Sequence, residues 1–320
     1  MIFLKILFIG TAVFGIPILE KILENKNNEV SIISQPDKPQ GRAKKIIPNP
    51  VKRVALEKGI PIFQPDNINS QESIKKIKEL RPDIILVVAY GQILRTEVLT
   101  IPERGCINIH ASLLPAYRGA APINWAIING EKETGITFIM MNEKVDAGEI
   151  IFQKKVSIYP DETYGELSER LSRLSGEIVN EILEKYEKGE LKGIPQDKEL
   201  TTCCRKMKKE DGKINWEETG ERIYNLYRGT TPYPGAFTFY RGKKIKIVEA
   251  KFFPESYLDT EKKFDIPGMI VKFDRHILAI LTGDRKIIRL LRLIPEGSKE
   301  MNIQEFINGY RIKIGDIFGN

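Results

Sequence analysis

Asn108 and His110 stand two residues apart at the end of an apolar run, Cys106-Ile107-Asn108-Ile109-His110. A loop punctuated by Pro115, Gly119 and Pro122 follows at once. On a strand, residues two apart share a face, so the amide and the imidazole point the same way while Ile107 and Ile109 point into a core. The chain has only two histidines, and one of them is here. Further along comes an acidic turn, Val145-Asp146-Ala147-Gly148-Glu149. An amide donor, an imidazole and a carboxylate are what an acyl transfer to an amine needs: a donor for the developing oxyanion and a route for the amine's proton. An isolated Asn-x-His pair is more often a satisfied core histidine beside a turn-forming asparagine, so the pair by itself leaves both readings open.

The surrounding pattern supplies a frame for these groups. Residues 83–89 form a continuous apolar run, Asp83 apart, which suits a central parallel strand covered on both faces. Residues 5–9 read as a first buried strand, followed by a turn at Gly10 and a helix over 13–24. A strand over 29–34, helices over 51–58 and 70–80, and strands over 106–109 and 135–141 follow. Residues 150–157 suit an edge strand, and 163–188 a long amphipathic helix whose acidic start favours the positive end of its dipole. This alternation predicts an α/β domain. The carboxyl end of a parallel strand, where Asn108 and His110 fall, is where such sheets hold ligands. The turn Gly10-Thr11-Ala12-Val13-Phe14-Gly15 is neither GxGxxG nor a Walker A loop and reads as a tight strand-to-helix connection.

Residues 189–202 mix Gly, Pro and charge without periodicity and read as a linker. Beyond it a helix over 216–228 gives way to short strands over 236–240, 244–253, 268–273, 276–281 and 285–293. Arg241-Gly242-Lys243 and Thr282-Gly283-Asp284 look like hairpin turns. Such spacing predicts a small β-barrel. The resulting division is a catalytic domain over 1–188, a linker over 189–205 and a β domain over 206–320.

A chain of 320 residues that is 42% hydrophobic has enough apolar residue for two folded domains, which argues against disorder. No apolar run reaches the roughly 20 residues of a membrane span, and a cytoplasmic protein is expected. Cys106, Cys203 and Cys204 make neither a disulfide framework nor a CxxC metal pair, and Cys106 reads as a buried, inert thiol. The net charge of +7 is uneven: from Gly189 onward 25 Lys and Arg face 19 Asp and Glu. That is a weak sign of a polyanionic partner and equally fits a lysine-rich surface.

The segment Asn108-Ile109-His110-Ala111-Ser112-Leu113-Leu114-Pro115-Ala116-Tyr117-Arg118-Gly119, with Asp146 and Gly148 further on, resembles the signature of the 10-formyltetrahydrofolate-dependent formyltransferases. The resemblance covers essentially the whole chain and is strongest over residues 84–150. It implies a Rossmann-like catalytic domain with a mostly parallel sheet and a C-terminal OB-like β-barrel domain. It also implies 10-formyltetrahydrofolate as formyl donor, no metal, and Asn108, His110 and Asp146 as the catalytic set. Ser112, Leu113, Leu114 and Pro115 would then border the folate, with the backbone of Leu86, Val88, Ala89 and Tyr90 as a second wall; Arg118 is expected to hold the loop.

Three further stretches, over 35–45, 87–91 and 206–216, resemble those members that formylate methionine esterified to initiator tRNA. By that resemblance Arg42, Lys44 and Lys45, and Lys206 and Lys209 near the linker, would contact tRNA, and the protein would act as a monomer. Ala12, Glu149 and Cys203-Cys204 depart from the usual pattern, and Glu149 lies close enough to Asp146 to alter its setting. A relative acting on an amino-sugar nucleotide or a purine ribotide, a hydrolase passing the formyl group to water, and a non-catalytic RNA-binding protein remain as alternatives.

Overall fold

The computed structural model describes residues 3–40, 45–253 and 264–319. Its elements run β1 (Leu4–Gly10), α1 (Ile16–Glu24), β2 (Asn28–Ile33), β3 (Lys38–Gln40), β4 (Lys45–Ile47), α2 (Pro50–Glu57), β5 (Ile62–Phe63), α3 (Gln71–Leu80), β6 (Ile84–Val88), α4 (Thr96–Leu99), β7 (Cys106–His110), β8 (Arg118–Gly119), α5 (Pro122–Ile128), β9 (Glu133–Met140), β10 (Ile150–Ser157), α6 (Tyr164–Glu187) and β11 (Cys203–Cys204). They continue with α7 (Gly220–Thr230), β12 (Phe237–Tyr240), β13 (Lys243–Phe252), β14 (Ile270–Phe273), β15 (Leu278–Leu281), β16 (Ile287–Pro295), β17 (Met301–Asn302) and α8 (Ile303–Tyr310). The chain divides into two units: residues 1–122, 133–157 and 168–205 form the first, and 123–132, 158–167 and 206–320 the second. No helix among the described residues is long and apolar enough to cross a membrane.

The first unit is built on a seven-stranded sheet of order β10-β9-β7-β6-β1-β2-β5. From β7 to β5 all neighbours are parallel; β9 runs antiparallel to β7, and β10 to β9. The expected central strand is β6, fourth of the seven, with all five residues buried. A strand apolar at every position needs cover on both faces. On one face Ile85 and Val87 pack with Ile74 and Ile77 of α3. The expected edge strand is β10, at the end of the order. Register brings the carboxyl ends of three strands together, with Gly10 opposite Val88 and Val87 opposite Asn108.

The second unit carries an antiparallel sheet of order β12-β13-β16-β15-β14, with β17 paired to β16. β12 and β14 do not pair among the described residues, so the expected barrel is an open half-barrel. Arg241 and Gly242 both have positive φ, 50° and 74°, the geometry of a two-residue type I′ hairpin turn. Ile223, Tyr224 and Tyr227 of α7 and Ile303 and Phe306 of α8 close the apolar core of this unit.

Some segments differ from the sequence expectation, and others, α5 and α8 among them, had none. The helix expected from 216 begins at Gly220, because Thr219 caps it by accepting from Arg222 N. Trp216 lies in the approach and buries its ring, donating Nε1–H to Thr238 Oγ1 at 2.9 Å. The basic stretch after Asp37 is a β3–β4 hairpin running into α2, whose Asn49 side chain caps Lys52 N. The segment expected as a free linker is laid against the first unit. Ile194 exchanges both backbone hydrogen bonds with Ile150 (2.8 and 2.9 Å), and β11 pairs parallel with β8. An extended chain whose donors and acceptors find partners on a neighbouring edge has no reason to hang loose.

Candidate active site

β7 delivers Asn108 and His110 to the carboxyl edge of the sheet, and the Asp146 turn comes to meet them. Asn108 Nδ2 donates to Asp146 Oδ1 at 3.2 Å. The other carboxylate oxygen accepts the backbone N–H of Gly119 at 2.9 Å and lies 3.6 Å from His110 Nδ1. His110 Nε2 sits 2.9 Å from Tyr117 O. A carbonyl only accepts, so Nε2 carries a proton and Nδ1 is the nitrogen that faces Asp146. The side chains of His110 and Asp146 are only 7% and 13% exposed, so the carboxylate faces the imidazole with little screening by water.

The backbone around this cluster tolerates few alternatives. Asp146 itself sits at φ 49° and Tyr117 at φ 61°, both left-handed. A Cβ on Gly119 would lie 2.1 Å from Cys204 O, and one on Gly148 1.6 Å from Met140 O. The two glycines that follow Arg118 and Ala147 in the motif are therefore steric necessities. The preceding loop is pinned as well: Ser112 Oγ donates to Ala116 O at 2.6 Å, and Thr137 Oγ1 donates to Ser112 O at 2.6 Å.

Gln196, in the stretch read as a linker, has no place among the sequence expectations. Its Oε1 accepts from Arg118 Nε and Nη2 at 3.0 and 2.6 Å, and its Nε2 donates to Asp146 O and Gly148 O at 2.8 and 2.7 Å. Arg118 thus holds the loop, as expected. Nothing in residue type or periodicity marked Gln196; only the fold brings it there.

The residues expected around a folate divide. Leu86 and Val88 turn fully buried side chains inward, and β6 is flanked by β1 and β7, so main-chain groups become available only as the strand ends. Ala89 is exposed there at φ 45°. Tyr90 is buried, its hydroxyl lacks a partner, and burial raises its pKa to about 12. Leu114, expected to offer an apolar face, is packed inside, as is Ser112; Leu113 and Pro115 are half-buried. Cys106 is buried and its thiol is pushed up to about 12, which suits the inert role expected of it.

Of the residues expected at tRNA, Arg42 and Lys44 lie outside the described residues. Lys45 is exposed on β4, and Lys206 and Lys209 are exposed at the start of the second unit. The base of the basic segment is tied down by Asp37. Its carboxylate accepts from Asn49 N (3.2 Å), Gln64 Nε2 (3.1 Å) and Lys52 Nζ (2.5 Å). Burial pushes this carboxyl up, but Lys52, Gln64 and Asn49 together outweigh it and hold the pKa below the usual carboxylate range. A depressed folded pKa contributes stability above the unfolded value of about 3.9, and loses it as pH falls through the folded one. Urea midpoints should therefore show wild type more stable than Asp37→Asn at pH 7, with the gap closing below about pH 4. A gap that persists at pH 2 would remove the charge from the account.

Among the described residues no group of His, Cys, Asp and Glu is arranged to hold a metal ion. A family model described as formyl transferase matches residues 4–183, and one described as formyl transferase, C-terminal domain, matches residues 206–311. A methionyl-tRNA formyltransferase of Acetivibrio thermocellus is 40% identical over 316 residues, covering 99% of this chain and 100% of its own. That of Clostridium acetobutylicum is 44% identical over 315 residues, covering 98% and 99%. Among solved structures, HypX from Aquifex aeolicus in complex with tetrahydrofolic acid gives a TM-score of 0.65 at 17% identity, over 98% of this chain and 48% of HypX. The chain spans about half the length of that protein, and at such identity the likeness is one of fold.

Proposed function

The chain belongs to the formyl transferase family, and on that premise we propose that it transfers a formyl group from 10-formyltetrahydrofolate to the α-amine of methionine on initiator tRNA. The product is N-formylmethionyl-tRNA for translation initiation. Full-length identity of 40–44% to methionyl-tRNA formyltransferases supports the acceptor. The observation that carries the chemistry is Asp146, which meets Asn108 and the Gly119 N–H beside His110 Nδ1.

In this reading the attacking amine approaches the formyl carbon at the carboxyl end of β7. Asn108 uses one Nδ2 hydrogen on Asp146 and keeps the second for the negative charge growing on the formyl oxygen. His110, its Nε2–H held by Tyr117 O, presents Nδ1 and takes up the proton the amine sheds. The Asp146 carboxylate, with only 13% of its side chain exposed, stabilises the resulting imidazolium. As the tetrahedral intermediate collapses, the bond from the formyl carbon to folate N10 breaks and the imidazolium returns its proton to N10, releasing tetrahydrofolate. Ala89, Leu113 and Pro115 supply apolar surface, and the end of β6 supplies main-chain donors and acceptors, a mixture suited to a flat heteroaromatic ring with polar edges.

Lys44, Lys45 and Arg42 belong to the segment we assign to the acceptor end of the tRNA; in this reading Arg42 enters the acceptor helix and the lysines meet phosphates. Removing Lys44 and Lys45 together should lower the slope of log K against log salt by about 2. An unchanged slope would return the hairpin to an ordinary solvated surface. The deciding experiment for the function is formyl transfer by the purified protein to methionyl initiator tRNA, free methionine, an amino-sugar nucleotide and water. Formylation of the charged tRNA alone is expected. Turnover with another acceptor would overturn the partner and keep the chemistry.

A further inference from the structure

We infer that Gln196 is a positioning residue that sets the backbone of Asp146, so that the irregular segment before β11 is part of the catalytic apparatus; this rests on the catalytic reading of Asp146 above. Asp146 adopts φ 49°, a left-handed conformation that Asp tolerates better than most L-residues, and its neighbours then fix where that turn directs the carboxylate. Gly148 is pressed against Met140 O so closely that no Cβ fits. The two hydrogens of Gln196 Nε2 take the carbonyls of Asp146 and Gly148, 2.8 and 2.7 Å away. One amide group therefore spans the D-x-G turn and fixes its two carbonyls at once.

The other end of the same amide decides the second wall. Gln196 Oε1 accepts a forked pair from Arg118, and the next residue, Gly119, supplies the N–H that holds Asp146 Oδ2. The carboxylate is thus addressed from two directions, through its own backbone and through the Arg118–Gly119 turn, and both pass through Gln196. Gln196 touches neither reacting group: its partners are Arg118 and two carbonyls. The only neutral side chain that offers a paired donor and a strong acceptor at this length is glutamine. Glutamate would keep the Arg118 contact and present an oxygen to two carbonyls.

The test is single-turnover formyl transfer by the full-length protein carrying Gln196→Ala, Gln196→Glu, Asp146→Asn, and each Gln196 change combined with Asp146→Asn. Misplacement of the carboxylate by a fraction of an ångström to an ångström should slow transfer roughly 10- to 100-fold in both single Gln196 variants, with folate affinity and melting temperature little changed. In the Asp146→Asn background the same changes should cost less than about twofold, because the group they position is already gone. Gln196→Glu, which keeps the shape and the Arg118 contact, reports even where Gln196→Ala fails to fold. Transfer within about threefold of wild type in Gln196→Glu overturns the inference, as does an equal loss in both backgrounds. A normal rate in Asp146→Asn alone would instead defeat the catalytic reading of Asp146.

Discussion

Asp146→Asn, His110→Ala and Asn108→Ala should each slow the formyl-transfer step by about 10²- to 10³-fold while leaving folate binding largely intact. The expectation follows from how the three groups share their contacts. Asp146→Asn removes the charge yet keeps an oxygen for Gly119 N–H, so the turn survives and the loss reports on chemistry. With that oxygen kept, the amide nitrogen falls where Asn108 Nδ2 donates, and the uncharged side chain no longer stabilises an imidazolium at His110. His110→Ala frees Tyr117 O, which keeps the Cys204 thiol 3.4 Å away, and so leaves the loop a partner. Asn108→Ala removes the second Nδ2 hydrogen, the one assigned above to the reacting oxygen. Groups that act as one unit lose their effect together, so the double variant His110→Ala with Asp146→Asn should be little slower than the worse single one. Single-turnover rates within about threefold of wild type in all three variants would remove these residues from the mechanism.

That Asn108 and His110 share one face at the end of a strand was legible from two-residue alternation, and both lie on β7; that they belong to a site was read only from the family pattern. Asp146 was legible only through the family pattern. Its distance along the chain says nothing about where β9 ends and the turn returns, and it reaches Asn108 through a left-handed residue that sequence does not announce. Gln196 was hidden for a different reason. The stretch over 189–202 has no period because its backbone bonds are made one at a time, Ile194 to Ile150 and Cys203–Cys204 to Arg118–Gly119, and not in a long ladder. Its Gly and Pro read equally well as tether or as docked chain. α8, by contrast, was there to be read: Asn302 and Glu305 form a reciprocal capping box ahead of an apolar helix.

Gly148→Ala should be highly damaging although it substitutes none of Asn108, His110 and Asp146. Its Cβ would meet Met140 O at 1.6 Å and Met140 C at 2.8 Å, both backbone atoms of β9, which is paired to β7 and cannot yield without disturbing the strand that carries Asn108. The turn must move instead, and Asp146 lies two residues before it. Overpacking of this kind costs about 1–3 kcal/mol, and more when the obstruction is main chain. The melting temperature should fall by several degrees, and transfer should slow by about 100-fold or more, since the carboxylate leaves Asn108 Nδ2 and Gly119 N–H together. Gly59→Ala separates the two consequences. Gly59 has φ 66° with nothing within 4 Å of an added Cβ, so the change should cost roughly 1–2 kcal/mol from the backbone alone and leave the transfer rate untouched. Were Gly148→Ala to resemble Gly59→Ala, with stability lost and the rate kept, the D-x-G turn would be a fold element and not the mount of the carboxylate. The glycine would then be required by β9 alone.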